Sequence, residues 1–176
     1  MRELRGDNRE NVLGQMVKEY GDSLFRFMLR NVGDRHLAED IVQETFLRAL
    51  LNLHRYDQNR PAGPWLFRIA LNLCRSRQKR QRETPVAPPD MDKVSPAAGP
   101  ENILLEREQE RELMQALQAL PEMYRVPLLL KHVSGLSYAE ISETLNLNLS
   151  LVKNRLYRGR IMLRKVYQKV RRENDE

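Results

Sequence analysis

The chain has 176 residues, with 30 Lys+Arg against 24 Asp+Glu, a net charge of +6 and a pI near 9.7; this balance points to an anionic partner. A single cysteine, Cys74, rules out an intrachain disulfide, and three scattered histidines, His36, His54 and His132, lack the spacing of metal ligands, so neither a metal nor another cofactor is expected. Leu, Ala, Glu, Arg and Gln dominate, no alternating strand-like run stands out, and no apolar run reaches the roughly 18–20 residues of a membrane span, so an all-helical protein without membrane insertion is expected.

The opening MRELRGDNRE is charged throughout and has no apolar signal core, which reads as cytoplasmic. Leu13, Met16, Val17, Tyr20, Leu24, Phe27 and Met28 recur at three- and four-residue steps, predicting a first amphipathic helix with these residues inward. Asn31–Asp34 breaks it, and Asp34 can cap a second helix over about Arg35–Leu53, with Ala38, Ile41, Val42, Thr45 and Ala49 on its inner face. Asp40, Gln43, Glu44 and Leu47 form another stripe on that helix, acidic and apolar, which reads equally as a solvated face or as a partner surface. A polar loop, His54–Gly63, leads to a third helix from Pro64 to about Gln81, with Leu66, Ile69, Ala70 and Leu73 inward. That helix ends in RSRQKRQR, and Arg68, Asn72, Arg75 and Lys79 line up along it at four-three-four spacing. Trp65 stands at its start; a ring beside a basic stripe suits unstacked bases, although Trp65 alone reads more simply as core.

Glu83–Pro100 holds five of the nine prolines and few large apolar groups, the composition of a flexible linker between two units, 1–82 and 101–176. Charge is uneven around it: residues 1–82 are net +6, 101–145 net −4, and 146–172 carry nine basic groups and no acidic one.

Beyond the linker, Ile103–Leu120 reads as a helix with Glu106, Leu113, Leu117 and Leu120 in register. Pro121 opens another through about Val133, which the internal Pro127 should kink or shorten. Ser137 and Glu140 have capping-box spacing at the start of a short helix, Asn146 occupies a turn where a left-handed residue is needed, and a last helix runs from about Ser150 to Val170. Leu136–Arg160 thus has the layout of a helix-turn-helix, with Ile141, Leu145, Leu147 and Val152 as its small core and Ser142 where the helices meet. On the last helix Val152, Leu156, Gly159, Leu163, Val166 and Val170 form the inward stripe. Lys153, Asn154, Tyr157, Arg158, Arg160, Arg164 and Lys165 lie on the other faces, where arginine and lysine can meet phosphates or guanine and asparagine can read adenine.

AEDIVQETFLRAL (38–50), PWLFRIALNL (64–73) with the basic run after it, and LPEMYRVPLLLKHVSGLSYAEISETLNL with VKNRLYRGR resemble, in that order, the core-binding, −10 and −35 segments of the small extracytoplasmic-function sigma factors of the sigma-70 family. The resemblance covers about 12–82 and 101–169. It implies two small helical domains on a flexible linker, without catalysis or a small-molecule substrate, acting as an alternative, stress-responsive factor that directs promoter recognition and melting. It further implies that Asp40, Gln43, Glu44 and Leu47 dock on core RNA polymerase. Tyr56 and Asn59, in the loop that holds a flipped base, would act with Trp65, Arg68, Asn72, Arg75 and Lys79 on the melted −10 strand. Lys153, Asn154, Tyr157 and Arg158 would enter the −35 groove, with Tyr138, Ser150, Arg155 and Arg160 around it. An anti-sigma protein, membrane-linked in many relatives, is the implied regulator of a factor otherwise at the nucleoid. The chain departs from the family at Ser150-Leu151, where Gly-Thr is usual, and at Ser76, Pro127 and Asn146.

Competing readings are weaker. A dimeric helix-turn-helix repressor leaves the acidic–apolar stripe of the second helix without a role. A hydrolase reading of Ser150-x-x-Lys153 lacks the companion K-T-G. A membrane-surface protein would need larger aromatic-rich apolar faces.

Overall fold

A computed structural model describes residues 3–83 and 101–175, with side chains described over 9–80 and 107–174. Seven α-helices account for almost all of these residues: α1 (Glu3–Val32), α2 (Arg35–Leu51), α3 (Ala62–Glu83), α4 (Glu101–Ala119), α5 (Glu122–His132), α6 (Tyr138–Leu145) and α7 (Leu149–Asp175). There is no strand among the described residues. Of the expected linker 83–100, Glu83 is the last residue of α3 and residues 84–100 lie outside the described residues.

Local chemistry sets most helix ends. Gly33 takes φ +74°, which its missing Cβ permits, and its N–H closes α1 on the Leu29 carbonyl at 2.8 Å. Asp34 is extended, and its Oδ1 accepts the Leu37 N–H at 2.9 Å as the cap of α2. A short 3-10 turn, Leu53–Arg55, ends the second helix early. The third begins at Ala62, two residues before Pro64, and Gly63 lies against Tyr20 so closely that a Cβ there would stand 3.0 Å from the ring. Pro121 caps α5 from outside. Pro127 sits within α5 and does not end it; the ring is buried, and the helix continues to His132. Gly135, at φ +71°, then turns the chain, with Leu136 N–H on the Leu130 carbonyl at 3.0 Å.

Among the described side chains, the helices turn inward the faces that periodicity assigns, with two exceptions; Glu106, placed in register on the fourth helix, lies outside them. Leu24, Phe27 and Met28 of α1, Ala38, Ile41, Thr45 and Ala49 of α2, and Leu66, Ala70 and Leu73 of α3 are buried, and Thr45 satisfies its hydroxyl on the Ile41 carbonyl at 2.6 Å. Phe27 and Phe67 meet edge to face at 5.2 Å. Val17, expected inward, is 44% exposed: the upper part of α1 packs along the narrow seam of Met16 and Tyr20. Leu113, also expected inward, is 37% exposed because α4 is turned so that Glu112, Ala116 and Leu117 face the core, with Leu120 buried just beyond its end.

One contiguous apolar cluster joins the two halves. It contains Leu24, Phe27 and Met28 of α1 together with Leu117, Leu120, Val126, Leu129, Ile141 and Leu156 from the second half. Polar ties cross the same seam: Gln118 Nε2 donates to the Arg30 carbonyl at 2.6 Å, and Arg125 Nε to Asn31 Oδ1 at 3.2 Å.

Candidate nucleic-acid interface

The helix-turn-helix is built by a few residues. Ser137 Oγ accepts the Glu140 N–H at 3.2 Å while Glu140 Oε2 accepts the Ser137 N–H at 2.8 Å, a reciprocal capping box that starts α6. Asn146 stops it at φ 52°, ψ 50°, the left-handed conformation expected of the turn. The turn is drawn tight by Leu147 N–H on the Ser142 carbonyl at 3.0 Å and by the Ser142 hydroxyl, which donates back to Leu147 O. Asn148 caps α7 through Leu151 N–H at 2.8 Å. That cap escaped the sequence reading, which started the helix at Ser150; an asparagine three residues before an amide is the signal that could have found it.

Val152, Leu156 and Gly159 of α7 are buried. A Cβ on Gly159 would lie 3.1 Å from Leu128 Cδ1 and 3.3 Å from the Tyr124 carbonyl, so α5 and α7 approach closely here. The opposite face is open. Ser150, Lys153, Asn154, Tyr157, Arg158 and Arg160 are all exposed, and Tyr157 keeps 62% of its surface in solvent. Arg155 is half-buried; its Nε has no hydrogen-bond partner among the described residues, and it lines a cleft of about 200 Å³ with Arg75 and Glu122. Tyr138 is half-buried, with Lys131 Nζ 5.3 Å from its ring centroid.

In the first half, Tyr56 and Trp65 stack with centroids 5.0 Å apart and 19° between planes. The Tyr56 hydroxyl donates to the Arg60 carbonyl, and Asn59 bonds Asp57 through both its backbone and its side-chain nitrogen. Burial, then the nearby Asp57 and Glu19 carboxylates, push the Tyr56 phenol above its usual range. Trp65 is half-buried, so it serves both the packing and the surface reading. Arg68, Asn72, Arg75 and Lys79 run exposed along α3 below it. Two of these have partners across the seam: Arg68 donates to the Glu143 carbonyl and, at 3.3 Å, to that of Thr144, and Arg75 Nε lies 2.8 Å from Glu122 Oε1. Arg60, which the sequence reading did not single out, pairs with Glu143 at 3.3 Å.

On α2, Asp40, Gln43 and Leu47 are exposed and Glu44 is half-buried. Glu44 pairs with Arg48 at 2.8 Å and Asp40 with Arg77 at 3.2 Å. Leu47, 52% exposed, is followed one turn on by Leu51, 67% exposed; its i+4 spacing extends the stripe and was legible in the sequence. The structure therefore holds three surfaces: the exposed basic face of α7, a basic α3 stripe with stacked aromatics, and an acidic–apolar strip on α2. Among the described residues there is no group of metal-binding side chains and no helix long and apolar enough to cross a membrane.

Comparison with known proteins agrees with this layout. Residues 16–84 match the family model for Sigma-70 region 2, and residues 110–163 that for Sigma-70, region 4. The chain is 34% identical to the ECF RNA polymerase sigma factor SigW of Bacillus subtilis (strain 168), over 92% of this chain and 90% of that protein. Its fold superposes on CnrH, solved in complex with the cytosolic domain of CnrY, with a TM-score of 0.68 and 25% identity, over 91% of this chain and 90% of that one. It superposes on the sigma factor RpoE of Bartonella quintana, solved with the anti-sigma factor NepR, with a TM-score of 0.71 and 23% identity, over 88% of this chain and 96% of that one, a likeness of fold. The chain belongs to the sigma-70 family, as an extracytoplasmic-function (ECF) sigma factor.

Proposed function

We propose that the chain acts through a division of labour between its surfaces. The α2 strip of Asp40, Gln43, Glu44 and Leu47 docks on core RNA polymerase. Tyr56, Asn59, Trp65, Arg68, Asn72, Arg75 and Lys79 receive the melted −10 strand, where an extruded base on an aromatic platform offsets the few kcal/mol of unstacking. Lys153, Asn154, Tyr157 and Arg158 enter the −35 major groove, flanked by Tyr138, Ser150, Arg155 and Arg160. Units 1–82 and 101–176, joined by 83–100, then hold two weak contacts on one polymerase scaffold, where each raises the effective concentration of the other. An anti-sigma partner, as NepR is for the RpoE of Bartonella quintana, regulates it. The protein works in the cytoplasm, at the nucleoid or held near the membrane by that partner, and performs no catalysis of its own.

The observation that carries this reading is the exposed face of α7, with Lys153, Asn154, Tyr157 and Arg158 open to solvent behind a turn fixed by left-handed Asn146. Run-off transcription with purified core polymerase on a random promoter library tests it. Discrete start sites that depend on this chain are expected; their absence would overturn the assignment.

A further inference from the structure

We propose that a cleft between α1, α4, α5 and α7 binds a single-chain aliphatic carboxylate, with the chain on its leucines and the carboxylate among its cations. The inference goes beyond the sigma-factor reading and does not depend on it. The cleft has a volume of about 460 Å³, and small-ligand sites span about 300–1,000 Å³. Leu113 and Leu117 of α4 and Leu128 and Leu129 of α5 line it. So do three guanidinium groups and an imidazole, from Arg26 and Arg30 of α1, Arg160 of α7 and His132 of α5, and no carboxylate is among the lining residues.

Leu113 shows what the cleft lacks. Its spacing puts it on the inward stripe of α4, yet it is 37% exposed, while Leu117, Leu128 and Leu129 on the same cleft are buried. A single exposed leucine on a surface needs no explanation, but this one is continuous with buried leucines and faces a space ringed by cations. A small anion alone would leave the leucines wet. A neutral hydrocarbon would leave the guanidinium groups unused. A chain with a carboxylate head uses both, since the chain takes apolar surface out of water and arginine meets a carboxylate in paired, charge-assisted hydrogen bonds. Arg30 Nη2 lies 3.6 Å from Glu110 Oε1, a long surface pair that holds little energy, so a ligand carboxylate can replace it.

Isothermal titration of the full chain with octanoate, decanoate and dodecanoate, each below its micelle concentration, tests the site. One ligand per chain is expected, with affinity rising about tenfold for each two methylenes added. Acetate, which has the head without the chain, and dodecyltrimethylammonium, which has the chain with the opposite charge, should not bind. Arg26→Gln/Arg30→Gln should weaken dodecanoate binding about tenfold, and Arg9→Gln/Lys18→Gln, which removes two cations elsewhere on α1, should stay within about twofold of the wild type. Arg160 is left in place because it also flanks the proposed −35 face. Leu113→Gln, a change at an exposed position, should flatten the dependence on chain length, which keeps the test decisive if the arginine variant folds poorly. No saturable binding, equal affinity for the three chain lengths, equal binding of the cationic analogue, or equal loss in both double variants would overturn the site. So would a preference for phosphatidylglycerol vesicles over monomeric dodecanoate, which would make this face a membrane contact and not a ligand cleft.

Discussion

Lys153 and Arg158 are five positions apart on α7 and both exposed, and neither is held by an ion pair among the described residues. Each can neutralise one phosphate, so Lys153→Ala and Arg158→Ala should each weaken promoter-duplex binding and lower the salt slope of log Kd by about 1, with polymerase binding unchanged. Asp40→Ala with Gln43→Ala should do the reverse; a fluorescence titration against core polymerase and a footprint score both activities, and equal loss of the two in either variant would contradict the division of surfaces. Tyr20 offers a test of packing instead. Burial, then its hydrogen bond to Glu19, pushes its phenol from 10.0 up to about 12. The folded state thus favours the neutral phenol: the extra stability is fully present below pH 10 and is lost as pH rises toward 12. Ultraviolet difference titration should resolve a late tyrosine step that Tyr20→Phe removes, and a single step near the ordinary phenol value would oppose it.

At the scale of elements, glycine spacing predicts opposite outcomes on two helices. Gly14 in α1 has nothing within 4 Å of an added Cβ, so Gly14→Ala should stabilise by roughly 0.5–1 kcal/mol through helix propensity alone. Gly159 gains the same propensity, but its Cβ would press on Leu128 and on the Tyr124 carbonyl, and backbone cannot swing aside. Overpacking of about 1–3 kcal/mol should outweigh the gain, so Gly159→Ala should lower the urea midpoint while Gly14→Ala raises it. The sequence placed Gly159 on the inward stripe, and it placed Asp34, Ser137, Glu140 and Asn146 at helix ends, because caps and turns are decided by neighbours within a few residues. It misjudged Val17 and Leu113, since periodicity defines a stripe but not how wide a neighbour covers it. The partners of Arg68 and Arg75 were out of reach for the same reason: they sit 47 to 76 residues away across the seam.

For the whole molecule, Arg125 makes the most hydrogen-bonded of the polar ties at the join between the halves. Its half-buried guanidinium donates to Asn31 Oδ1 at 3.2 Å and to the carbonyls of Gln118 and Leu120 at 3.1 and 3.2 Å, tying α1 to the α4–α5 corner. Asn31 is 2% exposed, so water cannot easily replace the lost donor. Arg125→Met keeps much of the side-chain volume but leaves these acceptors unpaired, at about 1–3 kcal/mol. A wild type whose larger apolar cluster spans both halves should unfold in urea with coincident transitions by far-UV circular dichroism and by the fluorescence of Trp65, the single tryptophan. In Arg125→Met the second half should lose its support first, so the dichroism transition should move to lower urea ahead of the fluorescence, which reports the first half. Coincident curves with an unshifted midpoint would mean that apolar packing alone holds the halves together and that the guanidinium tie contributes nothing measurable.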